Sequence, residues 1–344
     1  MSPLVKVIKP GFHSTLQDAG RRGHQDIGVP VSGPLDRLSF VLANGLVGNA
    51  LDAACLELIG SGPECEILAP SVRLALVGGS AQIDILGRDE QAPAGQSLRA
   101  VKGDVVRIRL GGEALCSYLA FEGGFDAPLC LGSLSTYTRA AFGGLSGRAL
   151  LAGDILHGHR DDVPARTELA LPAAQDLQFA QPIRIVLGPQ DDYFDAASIT
   201  LLLSSTYTIA PASDRMGFRM AGPALHHSRG YNIVSDGIVA GSMQVPGSGL
   251  PIVLMADAQT TGGYPKVATV ISADLPLLGR RKAGQTVTFK AVTRVEAEAA
   301  RRSEHAAIQA TLAALRPAGD ADGINVDALA RHNLIGGVVD ATRP

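Results

Sequence analysis

Tryptophan is absent from the 344-residue chain and aromatic residues amount to 4% of it, so few rings are available on which nucleic-acid bases could stack. Nor is one sign of charge in excess. Thirty Lys and Arg against thirty-three Asp and Glu leave a net charge of −3, too little to draw in a phosphate backbone or an anionic membrane. Charged residues reach only 18%, below the ~25% of an average domain, and apolar residues make up 46%, the opposite of a disordered composition. No run of about 18 apolar residues occurs. Met1 to Pro10 lacks the apolar stretch of a secretory signal, so a soluble, cytoplasmic protein is expected. Cys55, Cys65, Cys116 and Cys130 form no CxxC and have no His pair beside them at metal spacing; they are expected as reduced, partly buried small hydrophobes. The His226-His227 and His157/His159 pairs lack carboxylates at useful spacing and read as solvated loop residues, with no metal implied. Also missing are the phosphate loop, the dinucleotide fingerprint, the zinc helix and the nucleophile elbow. The chemistry is therefore not announced by any general motif.

What is abundant is glycine, at 40 residues, and it punctuates short runs in which apolar and polar residues alternate. Val72 to Val77, Val105 to Leu110, Ile183 to Leu187, Thr206 to Ile209 and Thr286 to Lys290 have the period of two that marks half-buried strands. Pro251 to Ala256 and Val267 to Ile271 are apolar on both faces and predict more deeply buried strands. Helices are fewer: Pro34 to Val47, closed by Gly48, then Asp191 to Leu203, and the longest, Arg294 to Leu315. Many strands and few helices predict a mainly β, two-lobed protein. Its boundaries are set at an N-terminal β-rich lobe over 1–158, a polar, Pro-containing linker over 159–182, a second β-rich lobe over 183–292, and a C-terminal helix and tail over 293–344. The turn-rich tail beyond 315, with its apolar Asn333 to Val339 segment, is expected to be a mobile or docking appendage.

Three stretches crowd polar residues among glycines and prolines. In Gln17 to Asp36, glycines permit close backbone approach and the chain runs into a helix N-terminus that favours an anion, making Asp18, Arg21 and Ser32 candidates for binding. The plainer alternative is a tight loop in which Asp18 and Arg21 pair with each other or cap turns. In Ser213 to Arg219, Asp214 and Arg215 could grip an amide, the carboxylate taking N–H and the guanidinium an oxygen; a surface ion pair with an Asx turn is the plainer alternative. In Asp257 to Lys266, Gln259, Thr260 and Thr261 offer neutral donors and acceptors and Lys266 a point charge, beyond what a glycine hairpin needs. Glu57 sits inside an apolar run, where a buried functional carboxylate is one reading and the outward face of a strand the expected one.

With these stretches go Leu131 to Thr136 (LGSLST), Phe142 to Leu150 (FGGLSGRAL) and Leu187 to Phe194 (LGPQDDYF). In that order, over about residues 4 to 292, they resemble the allophanate hydrolase subunit 2-like, or biotin-dependent carboxyltransferase, family. The resemblance implies a cyclophilin-like β-barrel in the second lobe and a subunit-1-like partner chain. It implies an enzyme subunit: with a third 5-oxoprolinase component and ATP, the assembly would open 5-oxoproline to glutamate. The alternative it carries is carboxyl transfer from biotin to urea or a related amide, with biotin held on a partner, since this chain has no biotinyl Met-Lys-Met segment. A Kip-type role, binding an inhibitor of a kinase, is a third. Under the first reading Asp214 and Gln259 hold the lactam, Arg215 and Lys266 stabilise developing negative charge, and Thr260 and Thr261 donate hydrogen bonds. In the family the position of Asp214 is Asn or Asp and lies near the substrate or biotin ring. Lys282 stands where the family carries a basic turn residue, commonly Arg, so the planar fork is lost. Tyr137 stands where an acid is common.

Overall fold

The computed structural model describes residues 2–172 and 181–319. Two sheets make up the first lobe. One has six strands in the order Ile155–Gly158, Ser2–Lys9, Glu64–Ile67, Val105–Arg109, Gln82–Leu86, Glu90–Pro93. The other has seven, in the order His13–Gln17, Cys55–Ile59, Cys116–Phe121, Ser71–Val77, Gln96–Val101, Leu169–Ala170, Arg316–Pro317. Period-two alternation explains how they pack. Val72, Leu74 and Leu76 of one strand, with Leu56, Leu58, Leu119 and Phe121 of its neighbours, point toward Val5, Val7, Ile83 and Val106 of the six-stranded sheet and form one core.

The alternate residues of the same strands, Cys55, Ala75, Val77, Tyr118 and Ala120, belong to a second core with Phe40 and Leu46 of helix α1 (Arg37–Val47). That helix ends where the sequence predicted but starts at Arg37, three residues after the expected Pro34, because Asp36 caps it. Asp36 accepts hydrogen bonds from the Leu38 and Ser39 amides at 3.1 and 3.2 Å, and Gly48 ends the helix at φ 77°, a left-handed conformation suited to glycine.

The second lobe is an eight-stranded sheet in the order Thr286–Val287, Tyr207–Ile209, Gly217–Ala221, Ile252–Leu254, Ser242–Gln244, Lys266–Val270, Ile183–Leu187, Phe289–Ala291. Its two edge strands are separated by a single residue, Thr288, so the sheet must curl almost closed into a barrel. For the same reason the run read as one strand, Thr286 to Lys290, is divided between opposite edges. Helix α2 (Ala196–Ser204) packs on the Phe289–Ala291 edge, and the short α3 (Leu275–Gly279) lies against α1. Helix α4 (Arg294–Ala313) then leaves the barrel, also touches α1, and delivers Arg316–Pro317 to the first lobe, where it pairs with Leu169–Ala170.

Residues 159–172, read as linker, are laid against the first lobe. The cause is Arg73, fully buried on its strand: its guanidinium donates to Glu168 at 2.9 and 3.0 Å, to Glu122 at 2.6 Å and to the Pro164 carbonyl at 3.0 Å. Residues 173–180 and the Asn333 to Val339 segment lie outside the described residues. Cys55, Cys65 and Cys116 are buried free thiols, and burial pushes the Cys65 thiol up to about 12.

Candidate active site

A cleft of about 490 Å³ opens where the two lobes meet. Leu35, Ile59 and Leu115 wall it from the first lobe, Ile209, Pro211 and Phe218 from the barrel. Apolar walls with a few convergent polar groups are the usual build of a small-molecule site.

Arg215 sits at the base. It leaves the turn before strand Gly217–Ala221 and is buried, so its donors need protein acceptors. Nε and Nη2 donate to the two oxygens of Asp257 at 2.7 and 3.0 Å, Nη1 donates to Glu57 at 2.5 Å, and Nη2 also donates to the Gly33 carbonyl at 2.8 Å. Burial by itself would depress the guanidinium, and the charges of Asp257 and Glu57 more than reverse that, holding it protonated. Glu57 is completely buried and not on an outward face: it shares its strand face with Cys55, the face covered by α1 and the barrel. Its second oxygen accepts from the Leu35 amide at 2.9 Å and the Tyr118 hydroxyl at 2.5 Å. Arg215 therefore joins the lobes.

Asp214 is different. It is exposed, lines the cleft, and does not pair with Arg215; its Oδ1 accepts from the Met216 and Gly217 amides at 2.8 and 3.3 Å, an Asx turn. Its Oδ2 accepts no hydrogen bond from the described residues. Three cations stand on the same walls: Arg139, which contacts the Met216 sulfur, Arg281, which donates to the Thr286 carbonyl, and Lys282, which donates to the Gly112 carbonyl. Burial pushes Arg281 down, and neighbouring Arg280 adds to it. With Arg215 compensated by Asp257 and Glu57, Arg139 and Lys282 are the cations that stand beside Asp214 on the walls.

Asp18, Arg21 and Ser32 stand behind this cleft. Asp18 and Arg21 do not pair with each other. Asp18 accepts from the Ser133 and Ser135 hydroxyls at 2.6 and 2.7 Å and from the Leu134 amide at 2.6 Å. Buried Arg21 donates to the Cys130 and Ser135 carbonyls, each at 2.8 Å, and stacks 4.8 Å from the Phe142 ring. Both hold the loop that carries Tyr137 and Arg139 into the cleft. Ser32 is buried, at φ 57°, and its amide donates to the Ala256 carbonyl across the lobes at 3.0 Å.

Gln259, Thr260, Thr261 and Lys266 are not brought into this cleft. Thr261–Gly262 pairs with Asp236–Gly237 in a small ribbon, and the buried Lys266 ammonium binds Asp236 at 2.5 Å and the Gly237 carbonyl at 2.7 Å. A buried ammonium demands such partners, and meeting the demand pins the ribbon to the barrel. Sequence reasoning missed His13 and Arg139 on the cleft wall. The strand period was the available signal for His13: it is two residues before Thr15, which pairs with Glu57.

Fold and site together define a two-lobed β protein with charged groups in an inter-lobe cleft. The model of the family described as carboxyltransferase domain, subdomain A and B, matches residues 27–291, and the chain belongs to that family. It is 34% identical over 305 residues to the C subunit of 5-oxoprolinase from Escherichia coli (strain K12), covering 88% of this chain and 95% of that protein. It is 30% identical over 332 residues to urea amidolyase of Lachancea kluyveri, covering 88% of this chain but 18% of that one. The solved K. lactis urea amidolyase superposes with a TM-score of 0.80 at 27% identity, over 90% of this chain and 20% of that chain. The relatives are parts of enzymes, and this chain reads as an enzyme subunit.

Proposed function

We propose that the chain is a subunit of an ATP-dependent 5-oxoprolinase and that the inter-lobe cleft binds the lactam. The observation that carries this reading is the set of charged groups on the cleft walls: Arg139 and Lys282, with Asp214, line a space sized for a small molecule, and 5-oxoproline is a small planar amide bearing a carboxylate. The near full-length match to the 5-oxoprolinase C subunit, against a match to under a fifth of urea amidolyase, favours the same substrate.

Asp214 Oδ2 accepts the lactam N–H. The cations of the wall hold the carboxylate, and Arg215, neutralised by Asp257 and Glu57, ties the two lobes together and so fixes the walls of the cleft. Lys266, Gln259, Thr260 and Thr261 act at a distance by keeping the barrel ribbon in place. No glycine is among the cleft's lining residues to cradle phosphates, so ATP is assigned to the partner chains, a subunit-1-like protein and a third component. The cleft fits the ureido ring of a partner's biotin on the same terms, through Asp214 Oδ2. Such a group would supply a carboxyl for transfer to an amide nitrogen, which keeps urea carboxylation as the second reading.

The test is 5-oxoproline-dependent ATP hydrolysis by the three components mixed together. Turnover is expected, and Asp214→Ala lowers kcat/KM by about 10–100-fold, the worth of a charged hydrogen bond. A complex that ignores 5-oxoproline, or a variant as active as the wild type, overturns the assignment. Carboxylated product formed only with a biotinylated carrier would establish the second reading in its place.

A further inference from the structure

His13 begins the strand His13–Gln17 and lines the cleft, and its ring is asymmetric in its surroundings. Nδ1 is sealed from solvent and has no hydrogen-bond partner. Nε2 is not among the sealed atoms and bonds to no described residue, so it is the ring nitrogen open to the cleft. A sealed nitrogen without an acceptor tolerates a lone pair better than an N–H, because an unpaired buried donor forfeits its full hydration. The neutral tautomer with hydrogen on Nε2 is therefore favoured. Protonation would put an N–H at Nδ1, in a place that offers nothing to receive it.

The surrounding charges agree. Burial pushes His13 below its ordinary 6.5. Glu57 on the adjacent strand opposes this, Arg215 from the barrel reinforces it, and Asp257 opposes it, with burial the largest influence. On the cleft walls the other charged or titratable groups are Asp214, Tyr137, Arg139, Arg281 and Lys282.

We propose that His13 is a specificity-determining residue of the cleft, a neutral imidazole that donates its Nε2–H to the carbonyl oxygen of a small planar amide. A neutral imidazole suits this task because it polarises a carbonyl without surrendering its proton. The partner interaction, Asp214 Oδ2 accepting the amide N–H, rests on the functional reading above. Together one acceptor and one donor read both polar edges of the amide, and an ester or a tertiary amide, lacking the N–H, is refused.

The full chain, labelled with nitrogen-15 in its histidines, gives the direct measurement, with His13→Phe identifying the resonance. At neutral pH the expected spectrum is that of a neutral ring protonated on Nε2, shifted by added 5-oxoproline. In the reconstituted complex His13→Phe raises KM for 5-oxoproline about tenfold, the loss of one neutral hydrogen bond in a closed site. His13→Gln, whose amide nitrogen reaches the Nε2 position, recovers most of that loss. A ring charged at neutral pH, a proton on Nδ1, or a His13→Phe complex with unchanged KM and kcat overturns the proposal. If the wild-type complex does not turn over 5-oxoproline, the functional reading falls separately. The His13 resonance is then titrated with urea and 2-pyrrolidinone: a shift with either sustains the donor role, and silence to both ends it.

Discussion

Arg215 and Asp214 are neighbours with opposite burdens. The Arg215 guanidinium is the counter-charge to two buried carboxylates, and Glu57 is further tied to Tyr118, whose hydroxyl also receives the Asp36 amide at 2.9 Å. Removing the guanidinium leaves Glu57 and Asp257 buried without it, a change that costs about 3–5 kcal/mol. Arg215→Met should lower the urea midpoint accordingly, and adding Glu57→Gln should return part of the loss, because one orphaned charge goes with it. Asp214 is exposed and contributes an Asx turn, so Asp214→Ala should cost stability only about 1 kcal/mol while sharply lowering kcat/KM. The sequence placed these two side by side with the chemistry to hold an amide. It did not show that Arg215 would be consumed in joining the lobes, since that depends on Glu57, 158 residues away.

At the scale of elements, local pattern was enough wherever a local force decides. Ile183–Leu187 came out as read, and α1 ended at Gly48 as read, though its start moved from Pro34 to Arg37, where Asp36 supplies the cap. Two failures have long-range pairing as their cause. Thr286 to Lys290 alternates as one strand should, yet it spans the barrel's seam and serves both edges. Asp257 to Lys266 concentrates polar groups as a binding loop should, yet only Asp257 reaches the cleft, because pairing with Asp236–Gly237 carries the rest to another rim. Helix α4 is the opposite case, well marked and weakly held. Ile308 is its one buried residue, and its start is a capping box in which Thr293 Oγ1 accepts from the Glu296 amide at 3.3 Å and Glu296 accepts from the Thr293 amide at 2.7 Å. Thr293→Ala should cost about 1 kcal/mol and fray the first turn, seen as faster amide exchange over residues 294–298 with turnover retained.

The whole molecule behaves as one body because its second core ignores the lobe boundary: Phe40, Leu46 and Tyr118 of the first lobe share it with Ile183, Tyr207 and Leu278 of the second. Hydrogen bonds stitch the same seam, from the Leu115 amide to the Arg280 carbonyl at 2.7 Å, and from Arg280 to Asp36 at 3.1 Å, both groups buried. One tight approach across the seam is at Gly279, where an added Cβ would lie 2.1 Å from the Leu35 carbonyl oxygen and 2.7 Å from its carbon. Those are backbone atoms of the other lobe, so no rotamer change relieves the clash, and Gly279→Ala can be housed only by moving the lobes apart. Leu35 and Arg281, on either side of this contact, line the cleft, so a shift here is a shift in the site. Calorimetry of the wild type should show a single transition. In Gly279→Ala that transition should fall by about 1–3 kcal/mol, the cost of overpacking a tight contact. Turnover should fall more than in Thr293→Ala, because only the first variant displaces the groups that meet the amide; equal activity in the two would mean that the cleft does not depend on the lobes being held at this distance.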